Sequence, residues 1–213
     1  MVYNVNIEGN IKHTVNEEDY MRVITGSARG ALLESPPGMN TRPTGEKVKE
    51  AVFSAIQFRI QDASVLDLFA GSGQLGIEAL SRGARQAVFV DSCRQSAAVI
   101  RRNLQRTGFI GKSEIFCRDA LSFLKSRQTP FDIVFADPPY DGELLIPVLE
   151  NVKLNDSAAV ICEYRVRQPL PSAIGSLALI KTRKYGTTGI AFYGLVPEMR
   201  KEDEQDSCLS GEF

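Results

Sequence analysis

An α/β fold is predicted: a doubly wound, mostly parallel seven-stranded sheet with a reversed strand, preceded by a small amino-terminal arm. Three observations predict it. Short apolar runs alternate with helix-period segments through the middle of the chain, as right-handed βαβ crossovers require. The last two apolar runs follow one another with only a glycine-containing turn between them, the pattern of an antiparallel pair. Acidic and glycine-rich motifs fall at the carboxyl ends of the apolar runs, where open parallel sheets bind ligands.

The elements are justified in chain order. Thr44 is a plausible N-cap for a helix from about Gly45 to Ile60, with Val48, Val52, Phe53 and Ile56 on one face. Val65 to Phe69 reads as a buried strand, followed by a glycine-rich turn and a helix through Leu80. Ala87 to Val90 is the second strand, with a helix from about Arg94 to Gln105. Glu114 to Cys117 is the third, with a short helix through Lys125. Phe131 to Ala136 is the fourth, with a helix near Glu143 to Val152. Ala158 to Glu163 is the fifth, and Leu177 to Arg183 and Gly189 to Tyr193 form the closing pair.

The 213 residues suffice for one well-buried domain, and the composition, 43% hydrophobic and 24% charged, is that of a soluble globular protein. Residues 1–20 are polar and read as an extension outside the core, which would make Met21 the natural start. Residues 21–196 form the domain, with the arm over about 21–44. Residues 197–213 are acidic and polar, the composition of a disordered tail. No apolar run reaches the length of a membrane span and no secretory signal opens the chain, so a cytoplasmic protein is expected. Four scattered cysteines have no metal-ligand or redox spacing; Cys93, Cys117 and Cys162 are expected to be buried free thiols. The only histidine, His13, lies in the leader, which excludes an imidazole base in the core. The net charge of -1 conceals an asymmetry: residues 21–195 hold 22 basic and 16 acidic residues, the flanks 3 and 10. A core of charge +6 suits an anionic partner as readily as it suits an ordinary solvated surface.

The turn after the first strand reads Asp67-Leu68-Phe69-Ala70-Gly71-Ser72-Gly73-Gln74-Leu75-Gly76. Gly71, Gly73 and Gly76 match the dinucleotide fingerprint, and Asp91 follows at the ribose-reading distance, so a nicotinamide or flavin enzyme is one reading. Two carboxylates favour S-adenosylmethionine instead. Asp67 can accept from the ammonium group of that cofactor, whereas it would repel a pyrophosphate. Asp119, after the third strand, can accept the adenine amino group, leaving Asp91 for the ribose hydroxyls; the alternative for Asp119 is an N-cap.

After the fourth strand stands Asp137-Pro138-Pro139-Tyr140. Two prolines fix the backbone, so that the Asp137 side chain and the Pro138 carbonyl become rigid acceptors for an amino group. Tyr140 offers a ring for a planar base. An exocyclic base amine is a poor nucleophile because its lone pair is delocalised. Acceptors on its hydrogens turn the lone pair toward an incoming methyl group, and positioning supplies much of the rate. These four residues do not separate guanine from adenine, or RNA from DNA. The arm adds Arg22, Arg29, Arg42, Lys47 and Lys49 with few acidic residues, and Pro36, Pro37 and Pro43 make it loop-like. Such a segment could grip phosphates or cover the site.

The segment from Met21 to about Tyr193 resembles the RsmD family of bacterial 16S ribosomal RNA guanine-N2 methyltransferases. The resemblance is carried by Arg22-Val23-Ile24-Thr25-Gly26, Arg29-Gly30, Thr41-Arg42-Pro43-Thr44 and Lys47-Val48-Lys49-Glu50 in the arm. Leu66-Asp67-Leu68-Phe69-Ala70-Gly71-Ser72-Gly73, Gly76-Ile77-Glu78-Ala79, Asp137-Pro138-Pro139-Tyr140 and Lys184-Tyr185-Gly186 carry it further along the chain. It implies a Rossmann-like class I methyltransferase fold, S-adenosylmethionine as methyl donor, and a guanine of 16S ribosomal RNA or the small ribosomal subunit as target. It implies no metal and no membrane, and a monomer is expected. Asp91 stands where the family often has Glu. Two other readings remain open at the level of sequence: a DNA adenine or cytosine amino-methyltransferase, and a non-catalytic RNA- or ribosome-binding module.

Overall fold

The structure, a computed structural model, describes residues 21–36, 45–138 and 144–196. The extension, the acidic tail with Cys208, His13 and the Thr44 cap lie outside the described residues. A two-stranded antiparallel hairpin opens the chain, β1 (Met21–Arg22) with β2 (Leu32–Leu33). Next come α1 (Glu46–Ala55), β3 (Ser64–Leu68), α2 (Gln74–Ser81), β4 (Gln86–Asp91) and α3 (Arg94–Thr107). Then follow β5 (Ser113–Cys117), α4 (Ala120–Ser126), β6 (Phe131–Ala136), α5 (Leu145–Asn151) and β7 (Leu154–Arg165). Last are β8 (Ala173–Ile174), β9 (Leu177–Tyr185) and β10 (Thr188–Leu195).

The main sheet has the order β5-β4-β3-β6-β7-β10-β9-β8, eight strands among the described residues where seven were expected. The addition, β8, has two residues, too few for any periodicity to register. Strands β3 to β7 are parallel, and β10 is the reversed strand, antiparallel to both β7 and β9. The chain runs from β3 outward to β5, then returns to lay β6 on the other side of β3. That reversal opens a crevice beyond the carboxyl ends of β3 and β6.

Alternation along the strands separates two apolar layers. Leu66, Leu68, Val88, Val90 and Val134 face one layer, where Phe123 and Leu124 of α4 and Val148 and Leu149 of α5 cover them. Val65, Phe89, Ile133 and Phe135 face the other, with Val52 and Phe53 of α1, Ile77 of α2 and Ile100 of α3. Each central strand is buried on both faces and so reads as a continuous apolar run. The fifth expected strand is longer than its apolar run: β7 begins at Leu154, and its polar start pairs back through Leu154 with Phe131.

The arm differs most from expectation. Residues 21–36 are not a solvated loop: Met21, Val23 and Leu33 are buried in the second layer. Two-residue strands give no sequence signal, which is why the hairpin was read as irregular. The cysteines also divide: Cys162 is buried, whereas Cys93 is half-exposed and Cys117 exposed at the end of edge strand β5, so only Cys162 is the buried thiol expected.

Candidate active site

Three carboxylates stand at the carboxyl ends of adjacent strands. Asp67 is the penultimate residue of β3, Asp91 the last of β4, and Asp137 follows the last of β6. The sheet register explains the first. Asp67 pairs with Phe89 on one side and Phe135 on the other, so its carboxyl lies on the sheet face covered by α1, α2 and α3. Burial raises its pKa to about 8, against the opposing hydrogen bond from the Gly76 N–H and with help from the charges of Asp137 and Asp91. Its Oδ2 accepts that N–H at 2.9 Å.

Gly76 has to be glycine for a local reason. A Cβ there would come within 2.3 Å of Phe89 Cε1 and 3.2 Å of Asp67 Oδ2. The turn before it is strained, because Phe69 has a φ of 59°, a sparsely populated conformation for a side chain of its size. Asp91 closes the other side of the loop. Its Oδ2 accepts the Gly71 N–H and its Oδ1 the Cys93 N–H, both at 2.8 Å. Each oxygen keeps acceptor capacity, since a carboxylate has about four lone-pair sites. Gln74 Oε1 at the start of α2 is buried with no donor among the described residues. A nucleoside cofactor bearing an amino group fits this set: acceptors on two strands, a backbone loop pressed close, and a buried carbonyl oxygen awaiting a donor.

Asp119 is exposed and caps α4, its Oδ1 accepting the Ser122 N–H at 2.8 Å. That hydrogen bond holds its carboxyl below the ordinary range. Ser72 spends its hydroxyl on the sulfur of Met21, 3.6 Å away, so its side chain faces the arm. Phe69, Gly71 and Gly73 lie in the same turn as predicted.

Asp137 is half-buried and Pro138 buried; Pro139 and Tyr140 lie outside the described residues. Burial first, then the charge of Glu163, raises the Asp137 carboxyl to about 7.

Of the five basic residues, Arg22, Arg29 and Lys47 are exposed, and Arg42 lies outside the described residues. Lys49 is a correction. It is 1% exposed, its Nζ donates to the Arg22 carbonyl at 2.6 Å, and Glu78 Oε2 is 3.6 Å away. An ammonium so enclosed has no face left for a phosphate. Burial lowers its pKa despite the nearby Glu78 charge.

Sequence reasoning missed the residues that hold the arm against the loop. Glu78, fully buried in α2, accepts the backbone N–H groups of Ile24 at 2.7 Å and Thr25 at 3.0 Å, and pairs with Arg82 at 2.8 Å. Ser81 Oγ donates to the Thr25 carbonyl and accepts the Ala28 N–H. Gly26, at φ +92°, packs its backbone so tightly that a Cβ would sit 1.8 Å from the Ser81 carbonyl oxygen. Asn103 of α3 is also fully buried. Its amide exchanges hydrogen bonds with the Glu34 backbone, accepting at 2.9 Å and donating at 3.0 Å, and also donates to the Ser72 carbonyl at 2.9 Å. Helix periodicity carried a signal for both: each falls among the buried, mostly small or apolar residues of its helix, Glu78 with Ile77 and Leu80, Asn103 with Val99, Ile100 and Leu104.

The family model described as "Conserved hypothetical protein 95" matches residues 21–194. A Bacillus subtilis (strain 168) protein provisionally named rRNA methyltransferase YlbH is 37% identical over 180 residues, covering 81% of this chain and 98% of that protein. Ribosomal RNA small subunit methyltransferase D of Escherichia coli (strain K12) is 37% identical over 177 residues, covering 81% and 89%. A solved structure from Escherichia coli, provisionally assigned as methyltransferase yhhF, superposes with a TM-score of 0.72 at 36% identity, covering 83% of this chain and 98% of the other. With a matching family model over residues 21–194 and relatives this similar across most of their length, the chain belongs to the RsmD family and has its Rossmann-like methyltransferase fold.

Proposed function

We propose that this chain transfers a methyl group from S-adenosylmethionine to the exocyclic N2 of a guanine in 16S ribosomal RNA. The observation that carries the reading is the row of carboxylates, Asp67, Asp91 and Asp137, at the ends of three neighbouring strands. An acidic floor suits a cationic ligand and opposes a pyrophosphate. Relatives named as methyltransferases of ribosomal RNA support the substrate class.

When bound, S-adenosylmethionine supplies an electrophilic methyl group on a sulfonium that needs no protonation to leave. The residues do the rest. Asp67 holds the ammonium of the cofactor, Asp91 takes ribose hydroxyls, and Asp119 serves the adenine amine with the oxygen not engaged in the cap. Asp137 and the Pro138 carbonyl accept the two hydrogens of the target amine and direct its lone pair. A carboxyl with a pKa of about 7 is matched to receive the proton the amine loses at neutral pH. Tyr140 is assigned to stacking by its place in the sequence motif. Arg22, Arg29 and Lys47 present positive charge for phosphates on the exposed side of the arm. A base inside a duplex would have to be extruded, so an unpaired nucleotide is the favoured target.

The test is incubation with methyl-labelled donor and small ribosomal subunits from cells lacking the enzyme, followed by nucleoside mass spectrometry. N2-methylguanosine is the expected product. Label on another nucleoside, with none on guanine N2, overturns the assignment.

A further inference from the structure

The Asp-Pro-Pro-Tyr motif explains binding of an amine but not the choice of base. The sheet supplies a second carboxylate beside it. Strand β7 lies parallel to β6 with Ala136 opposite Cys162, so Asp137, just past the end of β6, and Glu163 of β7 are the next residues along the two neighbouring chain segments. Glu163 pairs on its other side with Ile190 of β10, which packs in the same apolar layer as Phe89 and Phe135, so the Glu163 side chain lies on the sheet face that also holds Asp67. It is half-buried. Its charge reaches Asp137, where it helps to raise the carboxyl.

The chemistry of the bases makes this position informative. In guanine the ring atom next to the amine-bearing carbon, on the Watson–Crick edge, is N1–H, a donor. In adenine and in cytosine the corresponding ring nitrogen is an acceptor. With Asp137 and the Pro138 carbonyl on the amine hydrogens, an additional acceptor alongside matches guanine alone. A site built for adenine or cytosine would need a donor there.

We propose that Glu163 is the base-selecting residue: its carboxylate accepts the N1–H of the target guanine and rejects bases that present a ring acceptor at that point. The proposal rests on the guanine reading given above. Loss of one charged hydrogen bond to the base corresponds to about 10- to 100-fold in kcat/KM.

The experiment uses the full chain and small subunits reconstituted with 2,6-diaminopurine in place of the target guanine. That base keeps the 2-amino group and replaces N1–H by a ring acceptor. The wild type is expected to methylate it about 10- to 100-fold less efficiently than guanine. Glu163→Gln, whose amide can donate to the ring nitrogen, should lose efficiency on guanine and narrow or invert the ratio. Glu163→Asp, which keeps an acceptor, should retain the preference for guanine. Circular dichroism and calorimetric binding of S-adenosylmethionine check that both variants are folded. Equal use of the two bases by the wild type overturns the proposal whether or not a variant folds, as does a folded Glu163→Gln with the wild-type ratio. Absence of any N2 label on guanine with the wild type would instead overturn the substrate reading itself, and this proposal with it.

Discussion

The buried carboxylate of Glu78 accepts the backbone N–H of Ile24 at 2.7 Å, joining the amino-terminal hairpin to the helix that begins at the glycine loop. The same carboxylate faces Lys49 and Arg82. Glu78→Ala leaves the buried Lys49 ammonium uncompensated and two backbone donors unpaired. A loss of about 3–5 kcal/mol in urea unfolding is expected. Adding Lys49→Met should recover part of it, because the orphaned charge is then gone. A loss below about 1 kcal/mol would mean that the hairpin is held mainly by its apolar residues.

Gly76→Ala forces a Cβ against Phe89 and into the Asp67 carboxylate. Destabilisation of about 1–3 kcal/mol is expected, together with weakened cofactor binding. Phe89→Leu in the same chain should restore some of both, since the nearest clash is with the ring. Failure of that rescue, read by thermal unfolding and calorimetry, would locate the constraint in the backbone.

If Asp67 holds the cofactor ammonium as proposed, cofactor affinity should have a pH dependence of defined sign. Its carboxyl titrates near 8 in the unliganded fold, raised by burial, and an ammonium partner favours the ionised form. Binding below pH 8 therefore releases a proton, and affinity rises by up to about tenfold per unit from pH 6 toward 7.5. The amino group of the cofactor, itself titrating at about 7.7–8.0, ends the rise. Calorimetry in buffers of different ionisation enthalpy measures the proton directly. Asp67→Asn should bind weakly and with little slope. The linkage for folding has the opposite sense: an acid with a raised pKa favours the fold at low pH, and that contribution fades as pH climbs from about 4 through 8.

Asn103 links the arm at Glu34 to the loop at Ser72 through one amide. Asn103→Leu keeps the volume but strands three backbone groups. The expected result is weaker S-adenosylmethionine binding, about 10-fold or more, accompanied by faster amide exchange in residues 31–36. In the wild type, adding the cofactor should slow exchange in that same stretch. If exchange there ignores the cofactor, the two regions are not coupled.

In the proposed reaction Asp137 has to be ionised to accept the amine hydrogen and the departing proton. Because burial and Glu163 raise it to about 7, kcat/KM should climb with pH through about 7 rather than sit on a plateau from pH 5 upward. Asp137→Asn should lower kcat by at least about 100-fold while cofactor binding persists. A flat profile between pH 5.5 and 8 would assign the proton elsewhere.

The central strands were legible because burial on both faces writes them as unbroken apolar runs; Phe131–Ala136 agrees at both ends. The three strand-end carboxylates were legible because an acid at the end of such a run is conspicuous. The hairpin of residues 21–33 was not, since each strand has two residues and its anchors, Glu78 and Ser81, are more than fifty residues away. Lys49 was misread for a related reason: charge counting cannot tell a lysine that meets a phosphate from one that meets a buried glutamate. Glu163 went unremarked because its meaning lies in the cross-strand register with Asp137, which no local pattern encodes.

Strand β3 is buried along its whole length and lies between two parallel neighbours, with the glycine-rich loop at its end. The amides of Val65 to Leu68 should therefore exchange only through global opening, while the two-residue edge strand β8 frays on its own. The loop proposed to take the cofactor is thus attached to the strand expected to open most slowly. The basic residues proposed to meet RNA, Arg22, Arg29 and Lys47, are exposed and lie off that strand. On the proposed reading, substitutions at those exposed positions should alter RNA binding while leaving the exchange protection of β3 unchanged.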